Sequence, residues 1–330
     1  MADIKILTES ELRTLVPLDN NVVDCIARAF SELAGGYVTM PPIMTLLVPE
    51  YSGEVCVKTA YVPNFDSFAI KMSPGFFKNP QLGLPSTSGM MVLFASATGM
   101  LEALLLDNGY LTDVRTAAAG GVAAQYLARR DVSHVCVVGA GVQARMQLKA
   151  LTLVREIKSA VIWARDARKA DITASDLSRE LGINITVNMD LAQAVGSAEI
   201  IVTTTPSDKP LINSDWLRAG QLVIAIGSDQ EHKVELFPDC IRKATKYIPD
   251  NLAQCIVKGE LRSAIEAGLV ESSSNFFELG DITAGKAIGR ETDDDLIIVD
   301  LTGTGVQDTA IANLAFQRAK NMGVGSIFAN

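Results

Sequence analysis

The stretch Val135-Cys136-Val137-Val138-Gly139-Ala140-Gly141-Val142-Gln143-Ala144 decides the fold of this chain. Apolar β-formers make a buried strand, G-x-G-x-x-A makes a turn, and the residues after it take up helical spacing. Each small residue has a physical task. Gly139 permits a tight turn, Gly141 lets backbone approach a pyrophosphate, and Ala144 keeps the helix close to the strand while the helix N-terminus faces the phosphates. Gly139, Gly141, Val142, Gln143 and Ala144 are thus the expected cofactor-binding residues of a dinucleotide loop. The plain alternative is an ordinary strand-to-helix turn, and the sequence beyond it argues against that.

Downstream, strand and helix alternate: 135–138, a helix, 160–163, a helix, 185–187, a short helix, 200–204. This rhythm is that of βαβ units and predicts a parallel sheet. Further strands are expected at 222–226 and 296–299, and a closing helix at 307–322. Upstream the pattern differs. Apolar residues at helical spacing from Ser10 to Leu33, ended by Gly35-Gly36, open the chain with helices. Strand-like runs follow at 44–48, 55–61, 68–74, 90–95 and 101–107, at spacings that suit antiparallel hairpins. A helix with an Ala- and Gly-rich face is then expected over 111–130, with Thr112 as its N-cap.

Composition narrows the function. With 48% hydrophobic residues, 330 residues bury a sizeable core in one large unit or two domains. A formal charge of -9 argues against a nucleic-acid partner, which requires clustered Lys and Arg. Cys25, Cys56, Cys136, Cys240 and Cys255 are scattered, with neither C-x-x-C spacing nor nearby His, so reduced core thiols and no metal site are expected. No run approaches the ~20 apolar residues of a membrane span, and the N-terminus lacks the pattern of a signal peptide; the expected location is cytoplasmic.

At the end of the second strand of the alternating region, Ala164 stands where an acidic residue would hold the ribose of NAD, and Arg165 follows. Arg165 suits a 2′-phosphate, although Asp166 beside it opposes one, so NADP(H) is favoured over NAD(H). Lys58 and Lys71 interrupt apolar strands, where a lone charge is costly unless a partner waits. Arg115, near the start of the Ala-rich helix, suits a substrate carboxylate. Solvated faces are the plain reading for all three. Asp229 follows Gly227 at the C-terminal end of a strand, where open α/β sheets bind ligands, and is a candidate acid or base. His232 is a weaker candidate for a proton relay.

Asn108-Gly109-Tyr110-Leu111-Thr112-Asp113-Val114-Arg115-Thr116, the Gly139 loop, Gly227-Ser228-Asp229 with Lys233 and Glu235, Glu278-Leu279-Gly280, Ala284-Gly285-Lys286, and Asp300-Leu301-Thr302-Gly303 with Asp308 occur in one order. In that order they resemble the ornithine cyclodeaminase and mu-crystallin family over nearly the whole chain. The resemblance implies an α/β fold in which a Rossmann domain (118–305) is inserted in an α+β substrate and homodimerisation domain (1–117), completed by the last helix (306–330). It implies Lys71 as the active-site lysine, Arg115 as the carboxylate-binding arginine, and Asp229 as acid and base. Thr116, Thr204 and Thr302 would lie along the cofactor. One departure is visible: where the family often carries an arginine, this sequence reads Met40-Pro41-Pro42-Ile43-Met44-Thr45. Lys58 is the expected replacement cation, so a substrate unlike free ornithine is expected.

The segments 57–63, 70–77 and 204–210 look most like members linked to ectoine and hydroxyectoine breakdown. Together these features lead us to expect an NAD(P)H-dependent reductase of ketimines or cyclic imino acids. Ornithine cyclodeamination, with ammonia loss and no net redox change, is the alternative. A non-catalytic, NADPH-dependent ligand binder is a third reading, against which the retention of Lys71, Arg115 and Asp229 argues.

Overall fold

The computed structural model describes residues 3–329, and the chain divides into two compact units, Met1–Arg115 with Thr304–Asn330, and Thr116–Gly303. The first unit begins with β1 (Ile4–Thr8), α1 (Glu9–Leu15) and α2 (Asn20–Ala34). Four antiparallel-paired hairpin neighbours follow: β2 (Met44–Val48), β3 (Gly53–Ala60), β4 (Ser67–Phe76) and β5 (Met90–Ala95), then β6 (Leu101–Leu106). Helix α3 (Tyr110–Leu127) leads into the second unit.

There the elements are β7 (His134–Val138), α4 (Val142–Val154), β8 (Ser159–Trp163), α5 (Ala167–Leu181), β9 (Asn184–Val187), α6 (Leu191–Ser197), β10 (Ile200–Thr203) and β11 (Leu222–Ala225). After them come α7 (Asp239–Lys243), β12 (Lys246–Pro249), α8 (Leu252–Val257), α9 (Gly259–Glu266), α10 (Leu279–Thr283) and β13 (Ile297–Asp300). The chain returns to the first unit with α11 (Gly305–Met322) and β14 (Ser326–Phe328).

The second unit holds the expected α/β layer: a seven-stranded sheet of order β12-β13-β11-β10-β7-β8-β9, parallel at every pairing. Its strands are near-continuous runs of Val and Ile because helices cover both faces; Val135, Cys136, Val137 and Val138 are all fully buried. The order reverses at β7 and β10, and the Gly139 loop follows β7, so the fingerprint occupies the switch point of a doubly wound sheet.

The first unit's sheet runs β14-β1-β6-β5-β4-β3-β2. Helix α11 packs on β3, β4 and α2, and the strands accordingly alternate. Ala60, Ala69, Lys71, Met91, Leu93 and Leu105 are buried, while Val57, Ile70, Met72, Val92 and Leu104 between them are only half-buried. That second face is apolar, and at its edge Met44 is 60% and Leu46 58% exposed.

Several expectations are corrected. The chain opens with β1, not a helix; the strand pairs in parallel with β6, and its five residues, with only Ile4 and Leu7 buried, show no period-2 alternation to set them apart from the helical pattern after them. The helical run from Ser10 to Leu33 is broken at 16–19, around Pro17. Strands β12 and β14 lay unseen in the sequence. Thr112 is not the N-cap of α3, because the helix already starts at Tyr110. Asn108 and Gly109 take positive φ (50° and 90°) to turn the chain, and the Asp107 carboxylate accepts from Leu111 N at 2.8 Å in the capping role. All five cysteines are free and buried. Among the described residues no helix is long and apolar enough to cross a membrane, and no group of His, Cys, Asp and Glu is disposed to hold a metal.

Candidate active site

In the first unit, β3 and β4 pair so that Lys58 lies directly opposite Lys71. The strand pleat then sends both to the α11 side of the sheet. Lys71 is only 2% exposed, and its ammonium meets the carboxylate of Asp308, one turn into α11, at 3.0 Å (Oδ1) and 2.9 Å (Oδ2). Arg115, on α3, donates from Nε to Asp308 Oδ1 at 2.9 Å and from its guanidinium to Gln307 Oε1 at 3.1 Å. Three of the expected residues, Lys58, Lys71 and Arg115, are thereby gathered around a carboxylate that was not singled out as a site residue. Beyond its place in the C-terminal motif, Asp308 carried one sequence signal: a charged residue at the N-terminal end of a helix whose other positions are buried, among Val306, Ala310 and Ile311.

The electrostatics follow from this burial. Burial pushes the Lys71 amine down to about 7, the neighbouring Arg115 and Lys58 push the same way, and Asp308 pulls against them. Burial works to raise the Asp308 carboxyl, yet Arg115, Lys71 and Lys58 outweigh it and hold the group below its ordinary value. Burial raises Asp107, which the charge of Lys71 counteracts in part. Lysine that titrates near neutrality can both carry charge toward an anion and exchange a proton.

Met44, where the family pattern suggests an arginine, points away from this cluster. The β2 residue on the Lys58 and Lys71 face is Thr45, whose hydroxyl lies 3.9 Å from Cys56 Sγ. A cation on β2 is absent from that face, and Lys58 on the adjoining strand lies nearest in register to Lys71.

The second unit supplies the dinucleotide loop. Gly139 has φ of 131°, and a Cβ there would lie 2.3 Å from the Thr204 hydroxyl, so no side chain fits. At Gly141 a Cβ would meet nothing within 4 Å: the loop is open on the side where a phosphate would come. Helix α4 begins directly after it with no side-chain cap, leaving its first N–H groups for an anion. Val142 is exposed, Gln143 half-buried and Ala144 fully buried. The residues fit a dinucleotide pyrophosphate. Arg165 is exposed just beyond β8, next to the buried Ala164, and the Asp166 carboxylate caps α5 by accepting from Lys169 N at 3.2 Å.

The other expected residues of this unit are less uniform. Thr204 donates to Val138 O at 3.1 Å and braces the Gly139 turn. The Thr116 carbonyl accepts from Gln147 at 2.9 Å, so this residue helps lock α3 to α4. Thr302 donates to Asp250 Oδ1 at 2.8 Å and accepts from Gln254 at 3.0 Å. Asp229 stands in the loop after β11 with its carboxylate 44% exposed and 2.6 Å from Lys233 Nζ; a half-open carboxylate beside an ammonium can pass a proton to or from a bound molecule. His232 is exposed and makes no bond that would tie it into this group.

A set of buried acids outside the expected site residues lies close to the Asp229 loop. Glu235, Glu260 and Asp300 are essentially inaccessible. Burial raises the pKa of each; Asp300 is pushed up to about 7, with Tyr247 donating to it at 2.6 Å and Asp250 adding repulsion. Glu235 and Asp300 stand in the motifs that carry the family resemblance; Glu260 carries no sequence signal, since an acid at helical spacing usually marks a solvated face.

The profile of the ornithine cyclodeaminase/mu-crystallin family matches residues 3–323. An uncharacterised cyclodeaminase of Sinorhizobium fredii is 57% identical over 99% of both chains. Among solved structures, the Thermococcus litoralis Δ1-pyrroline-2-carboxylate reductase in complex with NADH and L-proline superposes with a TM-score of 0.92, at 29% identity, covering 98% of this chain and 99% of that one. The iminosuccinate reductase of Paracoccus denitrificans in complex with NAD+ gives 0.91 at 26% identity over the full length of both.

Proposed function

Because this chain belongs to the ornithine cyclodeaminase/mu-crystallin family, we propose that it reduces small imino acids with a nicotinamide cofactor, NADP(H) in preference to NAD(H). The observation that carries this reading is the gathering of Lys58, Lys71 and Arg115 about Asp308. Three cationic side chains brought to one place favour an anionic substrate. Arg115 and Lys71 hold its carboxylate, and their charge makes the neighbouring C=N carbon more electrophilic. The bound cofactor supplies hydride. Lys71 or Asp229 provides the proton that the nitrogen takes up.

Lys58 gives the substrate a further feature. A third cation suits a second carboxylate, so a dicarboxylic imine of the kind named for the Paracoccus relative is favoured over a cyclic one. Ala164 and Arg165 support the NADP(H) preference, since nothing acidic occupies the first position and a guanidinium is exposed at the second. The half-buried apolar face of the first sheet supports a homodimer formed by two copies covering it. We further place the enzyme in the cytoplasm, and in ectoine or hydroxyectoine breakdown on the resemblance carried by 57–63, 70–77 and 204–210; a deletion strain growing normally on both compounds would remove that placement.

A spectrophotometric panel tests the activity. Δ1-pyrroline-2-carboxylate, and oxaloacetate with ammonium as a source of iminosuccinate, should each consume NADPH in proportion to substrate, the dicarboxylate with the higher kcat/KM. Lys58→Ala should lower kcat/KM for the dicarboxylate more than for the cyclic imine; an unchanged value rules out its role. The cyclodeaminase reading is favoured by the description of the Sinorhizobium relative. Ammonia and proline from ornithine, with no net nucleotide change, would establish it. Tight nucleotide binding without turnover of any panel member would leave a binder.

A further inference from the structure

The loops at the C-terminal ends of β10 and β11 are held by one buried side chain. Glu235 Oε1 accepts from Thr205 N at 2.5 Å and from the Thr205 hydroxyl at 2.6 Å, and its Oε2 accepts from Gly227 N at 2.8 Å. Thr205 belongs to the loop after β10, and Gly227 opens the loop after β11 that carries Asp229. The same carboxylate therefore ties two neighbouring central strands together just beyond their last ladder bonds, where Thr203 pairs with Ala225.

Glu235 is itself immobilised. The Glu260 carboxylate accepts from Glu235 N at 2.8 Å and from Leu236 N at 3.0 Å. Glu260 N in turn donates to Asp300 at 2.7 Å, at the end of β13. The far side of the Asp229 loop is pinned as well: Ser228 Oγ donates to Lys233 O at 2.7 Å, and Gly259 N donates to Ser228 O at 2.9 Å. The chain of acids Asp300, Glu260 and Glu235 thus runs from one strand end to two others, every link through backbone N–H. Such a chain does no proton chemistry on a ligand; its carboxylates face protein donors. What it does is fix where Gly227, and with it Asp229 two residues later, stands.

We infer that Glu235 is the positioning residue for Asp229, holding the proton-handling carboxylate at a fixed place at the end of β11. The inference rests on the proposed role of Asp229 in imine reduction. Glutamine at 235 keeps the size of the side chain but turns an N–H2 toward either Thr205 N or Gly227 N, setting donor against donor. One of the two loops is then released.

The experiment compares wild type with Glu235→Gln, Asp229→Asn and the double variant. Turnover is measured with the best imine of the panel, nucleotide affinity by fluorescence, and amide exchange at Thr205 and Gly227 by mass spectrometry. Asp229→Asn should lower kcat by about 10²-fold or more. Glu235→Gln should lower kcat about tenfold or more, change nucleotide Kd and KM less than threefold, speed exchange in the two loops, and shift the limb of the pH profile that Asp229→Asn abolishes. The double variant should be no slower than Asp229→Asn alone, since a residue acting through another adds nothing once that other is gone. Multiplying effects in the double variant would overturn the inference, as would exchange at Gly227 equal to wild type.

If Asp229→Asn turns over normally, the reading of Asp229 as proton carrier fails; faster exchange in Glu235→Gln would still register the hold on the loop, so the two failures are told apart. Thr205→Val, which removes only the hydroxyl donor, covers the case of a Glu235→Gln protein that does not fold. It should give a smaller fall in kcat in the same direction with nucleotide Kd unchanged, and a kcat equal to wild type would overturn the inference.

Discussion

Replacing Asp308 by Asn keeps the shape of the side chain and removes the one negative charge that both Lys71 and Arg115 touch. The contacts are 2.9 to 3.0 Å to Lys71 and 2.9 Å to Arg115, at a carboxylate with no exposed surface. At an effective dielectric constant of about 20, each pair at this distance is worth roughly 5 kcal/mol of attraction before desolvation. Most of that offsets the cost of burying the ions, but removing one partner leaves the others uncompensated, at about 3–5 kcal/mol. The variant should therefore lose about 3–5 kcal/mol in urea unfolding followed by circular dichroism, near pH 6.

The loss should also depend on pH. The Lys71 amine already sits near 7 in the folded protein, below its ordinary 10.5. The folded state thus binds fewer protons than the unfolded state between those values, and stability rises with pH across that window. Without Asp308 the amine is pushed lower still. By pH 9 it is largely neutral in both proteins, the Lys71 share of the penalty vanishes, and the deficit should be smaller than at pH 6. A deficit under about 1 kcal/mol at both pH values, or one that grows toward pH 9, would refute the description of Asp308 as the counter-ion of a buried cationic pair.

The same amine should govern activity. If Lys71 must be charged to hold the substrate or donate its proton, kcat/KM falls as pH rises through about 7; Lys71→Arg, permanently charged, should flatten that limb, and Lys71→Met should lower kcat by about 10²- to 10⁴-fold. Gly139→Ala places a methyl 2.3 Å from the Thr204 hydroxyl at a φ of 131°. It should abolish nucleotide binding in a fluorescence titration, whereas Thr204→Ala combined with it recovers only part, because the backbone strain remains. Arg165→Ala should raise KM for NADPH about tenfold and leave that for NADH within twofold; equal changes for both would remove the 2′-phosphate contact.

Much of the fold was legible along the chain. The 135–144 stretch announced its own strand, turn and helix because the requirements are local: small residues at three positions, between a β-branched run and a helical spacing. Strands β2 to β6 were legible for a similar reason, as short strand-like runs at spacings that suit hairpins. Elements whose signal is not local escaped. Strand β12 is four residues long and joins the sheet only through β13, and β14 is three exposed residues that pair with β1. The N-cap of α3 escaped too: Thr112 has the right chemistry, but the turn at Asn108 and Gly109 brings Asp107 to the position first.

The sequence by itself determined that an α/β chain with a dinucleotide loop carries lysines in apolar strands, and that those lysines need a partner. Only the tertiary structure decided which. Lys71 and Asp308 are 237 residues apart, and nothing in the spacing of either predicts the other; the pair exists because the chain leaves the first sheet, builds a second unit, and returns with α11 laid across β3 and β4. The cost of a lone buried charge is a property of the residue and can be read from its neighbours in sequence. What meets that cost is a property of closure, and here closure also turns a lysine that would be an ordinary cation on a solvated strand into one that titrates near neutrality.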